Sequence, residues 1–90
     1  MMERREIYFS GRVQGVGFRY TARAIAGRLP VKGFVENLPD GRVLLVVEGS
    51  PETLTKLVTA IQSELDRYIE NCDTHVRAAT GEFSDFYIRR

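Results

Sequence analysis

The sequence predicts an α+β fold, the ferredoxin-like split β-α-β sandwich, in which two helices cover one face of a mostly antiparallel sheet. Three observations predict it: the chain has only 90 residues, two of its segments have the apolar spacing of amphipathic helices, and a hairpin pattern lies between them. Since hydrophobic cores come one per ~100 to 200 residues, we expect a single domain over residues 1–90. The predicted order of elements is β-α-β-β-α-β-β.

The first strand and the first helix flank a glycine-rich bend. Residues Arg5–Arg12 alternate apolar and polar side chains, which predicts a strand that ends at Gly11. The bend follows at Val13–Gly17, and Pro30 ends the next helix at or before Leu29. The apolar residues that line one side of this helix, at spacings of 4, 3 and 4, are Phe18, Ala22, Ile25 and Leu29. Right-handed crossovers predict that the first strand lies in the middle of the sheet, so that the bend opens beside the start of the helix.

A hairpin and a second helix follow. Strands are predicted at Lys32–Leu38 and Arg42–Glu48, because Pro39-Asp40-Gly41 between them favours a turn. The helix begins after Ser50, whose hydroxyl suits an N-cap position, and has Pro51 in its first turn. The apolar stripe of this helix is formed by Leu54, Leu57, Val58, Ile61 and Leu65.

Two more strands complete the predicted sheet. One is expected at Ile69–Ala78, after which Thr80-Gly81 forms a turn. The last strand covers Phe83–Arg90, where Phe86 and Ile88 share one face. With both helices packed on one face of these strands, the chain can bury a modest core.

Composition and charge exclude several classes of protein. Thirteen Lys and Arg against twelve Asp and Glu give a net charge of +1, and no run of like charges marks a nucleic-acid or membrane partner. One cysteine, Cys72, and one histidine, His75, make neither a disulfide nor a closed zinc site. The longest apolar run, Val43–Val47, is far shorter than the ~20 residues of a membrane helix, and no apolar signal region follows the first residues. We therefore expect a reduced, cytoplasmic location, and we also expect a monomer.

The glycine-rich bend has the features of an anion-binding site. It joins a strand to a helix N-terminus, where free backbone N–H groups and the helix dipole favour negative charge. Gly15 and Gly17 allow those groups to converge, and Arg19 adds a planar, bidentate guanidinium. The backbone amides expected to bind a phosphate are those of Gln14, Gly15, Val16, Gly17, Phe18 and Arg19. The alternative is a simple tight turn followed by a solvated Arg19.

A second candidate residue, Asn37, lies near the end of the second predicted strand. Strands disfavour asparagine unless its amide has a role, and this carboxamide can hold a water molecule. The alternative is an Asx-turn, in which Asn37 caps the hairpin through its own backbone. Spacing alone does not separate the two interpretations.

Several familiar catalytic motifs are absent. The bend has neither the Lys-Ser or Lys-Thr pair of the Walker P-loop nor the third glycine of a dinucleotide fingerprint. A single histidine without a G-x-S-x-G turn disfavours a Ser-His-Asp triad, and no acidic cluster has metal-binding spacing. We interpret Glu36, Asp40 and Glu48 as solvated hairpin residues and Cys72 as a packing residue. If the chain is an enzyme, we expect it to work without a metal and without a histidine.

Two motifs in the chain resemble the acylphosphatase family. The first is Gly11–Arg19, GRVQGVGFR, and the second is Gly33–Asn37, GFVEN, followed by Gly41, Val43 and Gly49 at the family's intervals. Two further segments near the end of the chain are also similar to the family, Thr80–Phe83 and Phe86–Arg89. The resemblance covers nearly the whole chain.

The resemblance implies an activity, the hydrolysis of a carboxyl-phosphate mixed anhydride to a carboxylate and inorganic phosphate. It implies that Arg19 binds the phosphate and that Asn37 positions the attacking water. The released carboxylic acid has a pKa of ~4, so the carboxylate can leave without being protonated. Neither a general acid nor a metal is therefore required. The expected partners are a small-molecule acyl phosphate and, as competing anions, inorganic phosphate or sulfate; no cofactor is expected.

Three positions depart from the family pattern. Phe9 stands where an aliphatic residue is usual, Glu36 where a basic or small residue is common, and Pro30 where a glycine-like stop is expected. Because side chains alternate along a strand, Glu36 should point away from the face that carries Asn37.

Two other functions stay open. RNA binding on the sheet is disfavoured by the near-neutral charge and scattered aromatics, and an accessory domain would keep the anion site with little activity.

Overall fold

The fold is a five-stranded sheet with two helices on one face, described over all 90 residues by a computed structural model. The strands are β1 (Glu3–Gly11), β2 (Lys32–Asn37), β3 (Val43–Gly49), β4 (Ile69–Ala78) and β5 (Phe86–Ile88). The helices are α1 (Phe18–Ala26) and α2 (Pro51–Glu64), and a 3₁₀ turn at Asp66–Tyr68 joins α2 to β4. The predicted ferredoxin-like α+β fold is confirmed. Neither helix is long and apolar enough to cross a membrane.

The order of strands in the sheet is β4-β1-β3-β2-β5, and only the β2–β5 pair is parallel. The prediction that β1 occupies the middle was therefore wrong: β1 is an interior strand, but the central position belongs to β3. The reason is that β5 pairs outside β2 and adds a fifth strand to that side. The position of the bend follows as expected, since β1 leads directly into it and α1 begins at its other end.

The register of β3 brings the ends of β1 and β2 to the same level of the sheet. Val43 pairs with Phe9 of β1 on one side and with Asn37 of β2 on the other. The Val43 side chain is fully buried in the core between sheet and helices, so its cross-strand partner Asn37 also faces the helix side. Asn37 therefore lies on the same side of the sheet as α1.

The core fills the space between the sheet and the two helices. Each fully buried aliphatic side chain contributes ~1.5–3 kcal/mol relative to exposure. Phe9, the departure noted in the sequence, is fully buried, and its ring centroid lies 5.0 Å from that of Phe18 in α1. The helix residues buried in this core are Phe18, Ala22, Ile25, Ala26, Leu54, Leu57 and Ile61.

The start of α2 and the end of α1 both agree with the sequence prediction. The Ser50 hydroxyl accepts a hydrogen bond from the Thr53 amide at 3.3 Å, which confirms the predicted N-cap. The first helix, predicted to end at or before Leu29, ends at Ala26, because the amides of residues 28 and 29 bond to carbonyls only three residues back. Leu29 thus lies in a tight turn, where it still packs against the core.

Glu48 is the largest departure from the sequence prediction, which placed it in solvent. Its side chain is buried, with a relative exposure of 5% for the residue, on the face of the sheet away from the helices. Its carboxylate accepts hydrogen bonds from the Thr80 amide at 2.8 Å, the Thr80 hydroxyl at 2.9 Å, the Gly81 amide at 2.9 Å and Arg4 Nη1 at 3.3 Å. The last strand is Phe86–Ile88, shorter than the predicted Phe83–Arg90, because only residues 86–88 pair with β2.

These contacts make the stability of the fold dependent on the charge of Glu48. Burial alone would raise the pKa of this carboxyl, but the hydrogen bonds from Thr80, Gly81 and Arg4 outweigh burial and hold the pKa below its ordinary value of 4.5. Because the folded-state pKa is lowered, the contribution is fully present above pH 4.5 and is lost as the pH falls through the folded-state value.

A Glu48→Gln variant is expected to lose about 1–3 kcal/mol of unfolding free energy at pH 7. The neutral amide of glutamine has one acceptor oxygen, whereas the donors of Thr80, Gly81 and Arg4 bond to a charged carboxylate with two. Chemical denaturation at pH 7 and at pH 3 measures the gap between wild type and variant. The gap should be narrower at pH 3 than at pH 7, because the contribution of the charged carboxylate declines below pH 4.5, where the unfolded chain takes up the proton first. Glu36→Gln, which removes a charge without breaking a hydrogen bond, is the control. An equal gap at both pH values would contradict the role of the charge.

Candidate active site

A cavity of about 90 Å³ opens between the bend after β1, the start of α1 and the end of β2. This volume is several times the roughly 10–15 Å³ that a single water needs. The residues lining it are Val13, Gly15 and Gly17 of the bend, Phe18, Arg19 and Tyr20 of α1, and Asn37 of β2. The two side chains singled out in the sequence, Arg19 and Asn37, thus border the same cavity.

The bend reaches α1 by way of two glycines in the left-handed region. Gly15 has φ 78° and Gly17 has φ 80°, a backbone conformation that other residues rarely adopt. A Cβ at either position would meet no atom within 4 Å, so the backbone at both glycines is open on its outer side. Gly17 is also the N-cap of α1 and supplies no side-chain cap to the helix. A ligand can therefore reach the backbone amides directly.

The amides of the bend have no acceptor inside the protein. Hydrogen bonds on either side mark its limits: the Arg12 amide bonds to the Tyr68 carbonyl at 2.9 Å, and the Thr21 amide to the Gly17 carbonyl at 3.0 Å. Between them, none of the six N–H groups of residues 14–19 donates to a backbone or side-chain acceptor of the chain. The first turn of α1 contains no acidic residue that would compete for them. The arrangement therefore leaves six donors available to an anion.

Arg19 adds a positive charge to this end of the cavity. It is half-buried in the first turn of α1, and no carboxylate lies within ion-pair distance of it. Arg4, Arg5 and Arg42 each form such a pair. The alternative interpretation was that Arg19 is freely solvated, which does not fit a half-buried residue on the lining of a cavity. Its guanidinium has the planar donor geometry that suits a phosphoryl group.

The carboxamide oxygen of Asn37 is buried and has no hydrogen-bond partner. The Asx-turn alternative is wrong, because other groups close the hairpin: the Leu38 amide bonds to the Arg42 carbonyl at 2.8 Å, and Asp40 Oδ1 accepts from the Arg42 amide at 3.1 Å. A buried oxygen without a partner costs ~1–3 kcal/mol, so this oxygen requires a polar partner at the cavity. A water molecule bound in the cavity would meet that requirement.

The side chain of Gln14 connects the bend to the hairpin, a contact that the sequence analysis missed. Its Nε2 donates to the Leu38 carbonyl at 2.8 Å and to the Arg42 carbonyl at 2.9 Å. Both acceptors belong to the turn that follows Asn37. Gln14 therefore holds the amides of the bend and the end of β2 at a constant separation. Its acceptors are main-chain carbonyls, which have no signature in the sequence.

The other candidate side chains lie outside the cavity. Glu36 pairs with Leu44, so it faces away from the side of the sheet that carries Asn37, as predicted. Cys72 packs against the core, and His75 contacts Asp73 at 3.3 Å on β4. Nowhere do three or more His, Cys, Asp or Glu side chains gather as metal ligands would. The polar side chains at the cavity are thus those of Arg19, Asn37 and Tyr20.

Comparisons with known proteins identify the relatives of this chain. A family model described as Acylphosphatase matches residues 5–88. A curated acylphosphatase from Syntrophus aciditrophicus is 44% identical over 89 residues, which cover 98% of this chain and 93% of that protein. The crystal structure of an acylphosphatase from Bacillus subtilis is 29% identical, with a TM-score of 0.87 over 100% of both chains.

A crystal structure of full-length HypF in its phosphate- and nucleotide-bound form is also similar, at 29% identity and a TM-score of 0.80. That match spans 100% of this chain but only 12% of HypF, so the likeness concerns one part of a much longer protein. The family model and the relative from Syntrophus aciditrophicus, by contrast, each account for nearly the whole of this chain. On this evidence the chain belongs to the acylphosphatase family.

Proposed function

We propose a mechanism for the activity of this enzyme, the hydrolysis of acyl phosphates to a carboxylate and inorganic phosphate. In it, the backbone amides of residues 14–19 and the Arg19 guanidinium hold the phosphoryl group, and Asn37 positions the water that attacks phosphorus directly. The observation that carries the proposal is the juxtaposition, at one cavity, of six amides without acceptors, an unpaired guanidinium and an unpartnered carboxamide oxygen.

The phosphoryl group binds to the bend because positive charge and hydrogen-bond donors meet there. In the loose transition state of phosphoryl transfer, charge spreads over the three equatorial oxygens. Donors that are already in position stabilise this charge without reorganising, and the Gln14 contacts to the hairpin keep them in position. Arg19 contributes a charge-assisted, two-pronged contact to the same oxygens.

The attacking water binds to Asn37. The carboxamide oxygen accepts a hydrogen bond from this water, which directs a lone pair of the water oxygen towards phosphorus. The leaving carboxylate has a pKa of ~4 and departs without being protonated, so no general acid is required. The proton of the water passes to an oxygen of the phosphoryl group itself, since no carboxylate or histidine that could act as a general base borders the cavity.

We also propose further properties of the chain. The chain acts as a single domain over residues 1–90 and as a cytoplasmic monomer, and it requires neither a metal nor a cofactor. Inorganic phosphate is both a product and an occupant of the bend, so it competes with the substrate, and sulfate does the same. The bare backbone at Gly15 and Gly17 supports this, because an anion of either kind can approach the same amides.

Steady-state kinetics with benzoyl phosphate test the mechanism. Rising concentrations of inorganic phosphate or sulfate are expected to raise KM and leave kcat unchanged, because the anion and the substrate share the amides of the bend. Turnover should also be the same before and after treatment with EDTA. Inhibition that lowers kcat at saturating substrate would refute binding of the anion at the bend, and loss of activity in EDTA would refute the metal-free mechanism.

A further inference from the structure

A basic surface borders the cavity on the side of α1. It consists of the Tyr20 ring together with the guanidinium groups of Arg23 and Arg90, and we refer to it as the basic rim. We propose that the basic rim binds a negatively charged group on the acyl part of the substrate, so that the enzyme prefers acyl phosphates that carry a second anionic group. The inference rests on the proposed function, which holds the phosphoryl end of the substrate at the bend.

The contacts of Tyr20 connect the cavity to the two arginines. Tyr20 lines the cavity next to Arg19 and is 49% exposed, so it lies where the cavity meets the solvent. Arg90 Nη2 donates to the Tyr20 hydroxyl at 3.1 Å, and the Arg23 guanidinium carbon lies 5.2 Å from the ring centroid. An acyl group that leaves the cavity past Tyr20 therefore comes close to two guanidinium groups.

The two arginines of the basic rim have no acidic side chain as an ion-pair partner. Neither Arg23 nor Arg90 forms an ion pair, whereas Arg4, Arg5 and Arg42 each lie within 3.3 Å of a carboxylate. The pKa of the Tyr20 hydroxyl is lowered, first by the hydrogen bond and charge of Arg90 and then by the charges of Arg19 and Arg23. The chain as a whole has a net charge of only +1, so the positive potential at the rim is local.

This chemistry fits a carboxylate or a second phosphate better than an apolar acyl group. The face of the Tyr20 ring is already occupied by the Arg23 guanidinium, which leaves less of the ring open to a hydrocarbon. A guanidinium binds carboxylates and phosphates through paired hydrogen bonds, and both arginines have donors beyond those that contact Tyr20. The rim therefore recognises anionic charge at a distance from the phosphoryl group.

Two probe substrates that differ by a single charge test the inference. They are 4-carboxybenzoyl phosphate and its neutral near-isostere 4-carbamoylbenzoyl phosphate, and the measured quantity is the ratio of their kcat/KM values. Arg23→Gln and Arg90→Gln are each expected to lower this ratio by roughly three- to fivefold, mainly through KM, as exposed ion pairs do. The ratio of the wild type should also fall as salt is raised from 0.02 to 0.5 M.

Arg28→Gln is the matched control, because it removes the same charge from an exposed arginine without an ion pair just beyond the end of α1. Its ratio should equal that of the wild type. An unchanged ratio in both rim variants, or an equal fall in Arg28→Gln, would overturn the inference. If this happens while all the proteins still hydrolyse benzoyl phosphate, the proposed function survives. If the wild type hydrolyses none of the three acyl phosphates, the proposed function and the inference are overturned together.

Discussion

An Arg19→Ala variant is expected to lose substrate binding and turnover together. The guanidinium binds the phosphoryl oxygens in the substrate complex and binds them more strongly in the transition state, where they carry more negative charge. Its removal therefore raises KM and lowers kcat. From the effect of single donors in comparable oxyanion sites, we expect kcat to fall by roughly 10²–10³-fold. The measurement is kcat and KM for benzoyl phosphate, determined over a range of substrate concentrations that includes the raised KM.

Two matched variants make the Arg19 result interpretable. Arg19→Lys keeps the charge but loses the planar two-pronged contact, so its activity should lie between those of the wild type and the alanine variant. Arg28→Ala removes an arginine outside the cavity and should leave both constants unchanged. If Arg19→Ala keeps kcat and KM within threefold of the wild type, then the backbone amides hold the phosphoryl group without it, and its assigned role is wrong.

Asn37→Ala is expected to lower kcat by roughly 10²–10³-fold with little change in KM, because the carboxamide orients water and does not hold the substrate. The stability of the fold should stay within about 0.5 kcal/mol of the wild type, since the Asn37 oxygen makes no hydrogen bond that the substitution would break. Steady-state kinetics and a denaturation midpoint measure the two effects separately.

Asn37→Asp provides the complementary variant. It retains an oxygen at the same place but adds a negative charge beside the phosphoryl group, so KM should rise as well as kcat fall. Full turnover in Asn37→Ala would rule out water positioning by this residue. A loss of stability equal to that of a core substitution would show instead that Asn37 supports the hairpin.

Local signals predicted most of the fold. Ser50 was identified as an N-cap from its hydroxyl and the following Pro51, and the strand at Ile69–Ala78 has the predicted bounds. The errors arose where tertiary contacts decide. Glu48 resembles a solvated residue in the sequence, because its burial depends on the amides of Thr80 and Gly81, which lie more than 30 residues away.

Local sequence signals also predicted part of the candidate site, and distant contacts again account for the rest. Arg19 and Asn37 were found because they belong to motifs with a recognisable order, and the cavity has both on its lining. The contacts of the Gln14 side chain and the association of Arg90 with Tyr20 were not found. In each case the partner is far away along the chain, and neither a carbonyl oxygen nor an exposed phenol reveals its partner through spacing.

The pairing of Val43 with both Phe9 and Asn37 has a consequence for how the enzyme acquires activity as it folds. β1 and β2 do not pair with each other, so the two halves of the site come together only when β3 has docked on both. A slip of one residue between β2 and β3 would turn Asn37 to the opposite face and leave the cavity without its carboxamide. Hydrolytic activity should therefore return during refolding only when β3 has paired with β1 and β2 in the native register. Early collapsed states should show no hydrolysis.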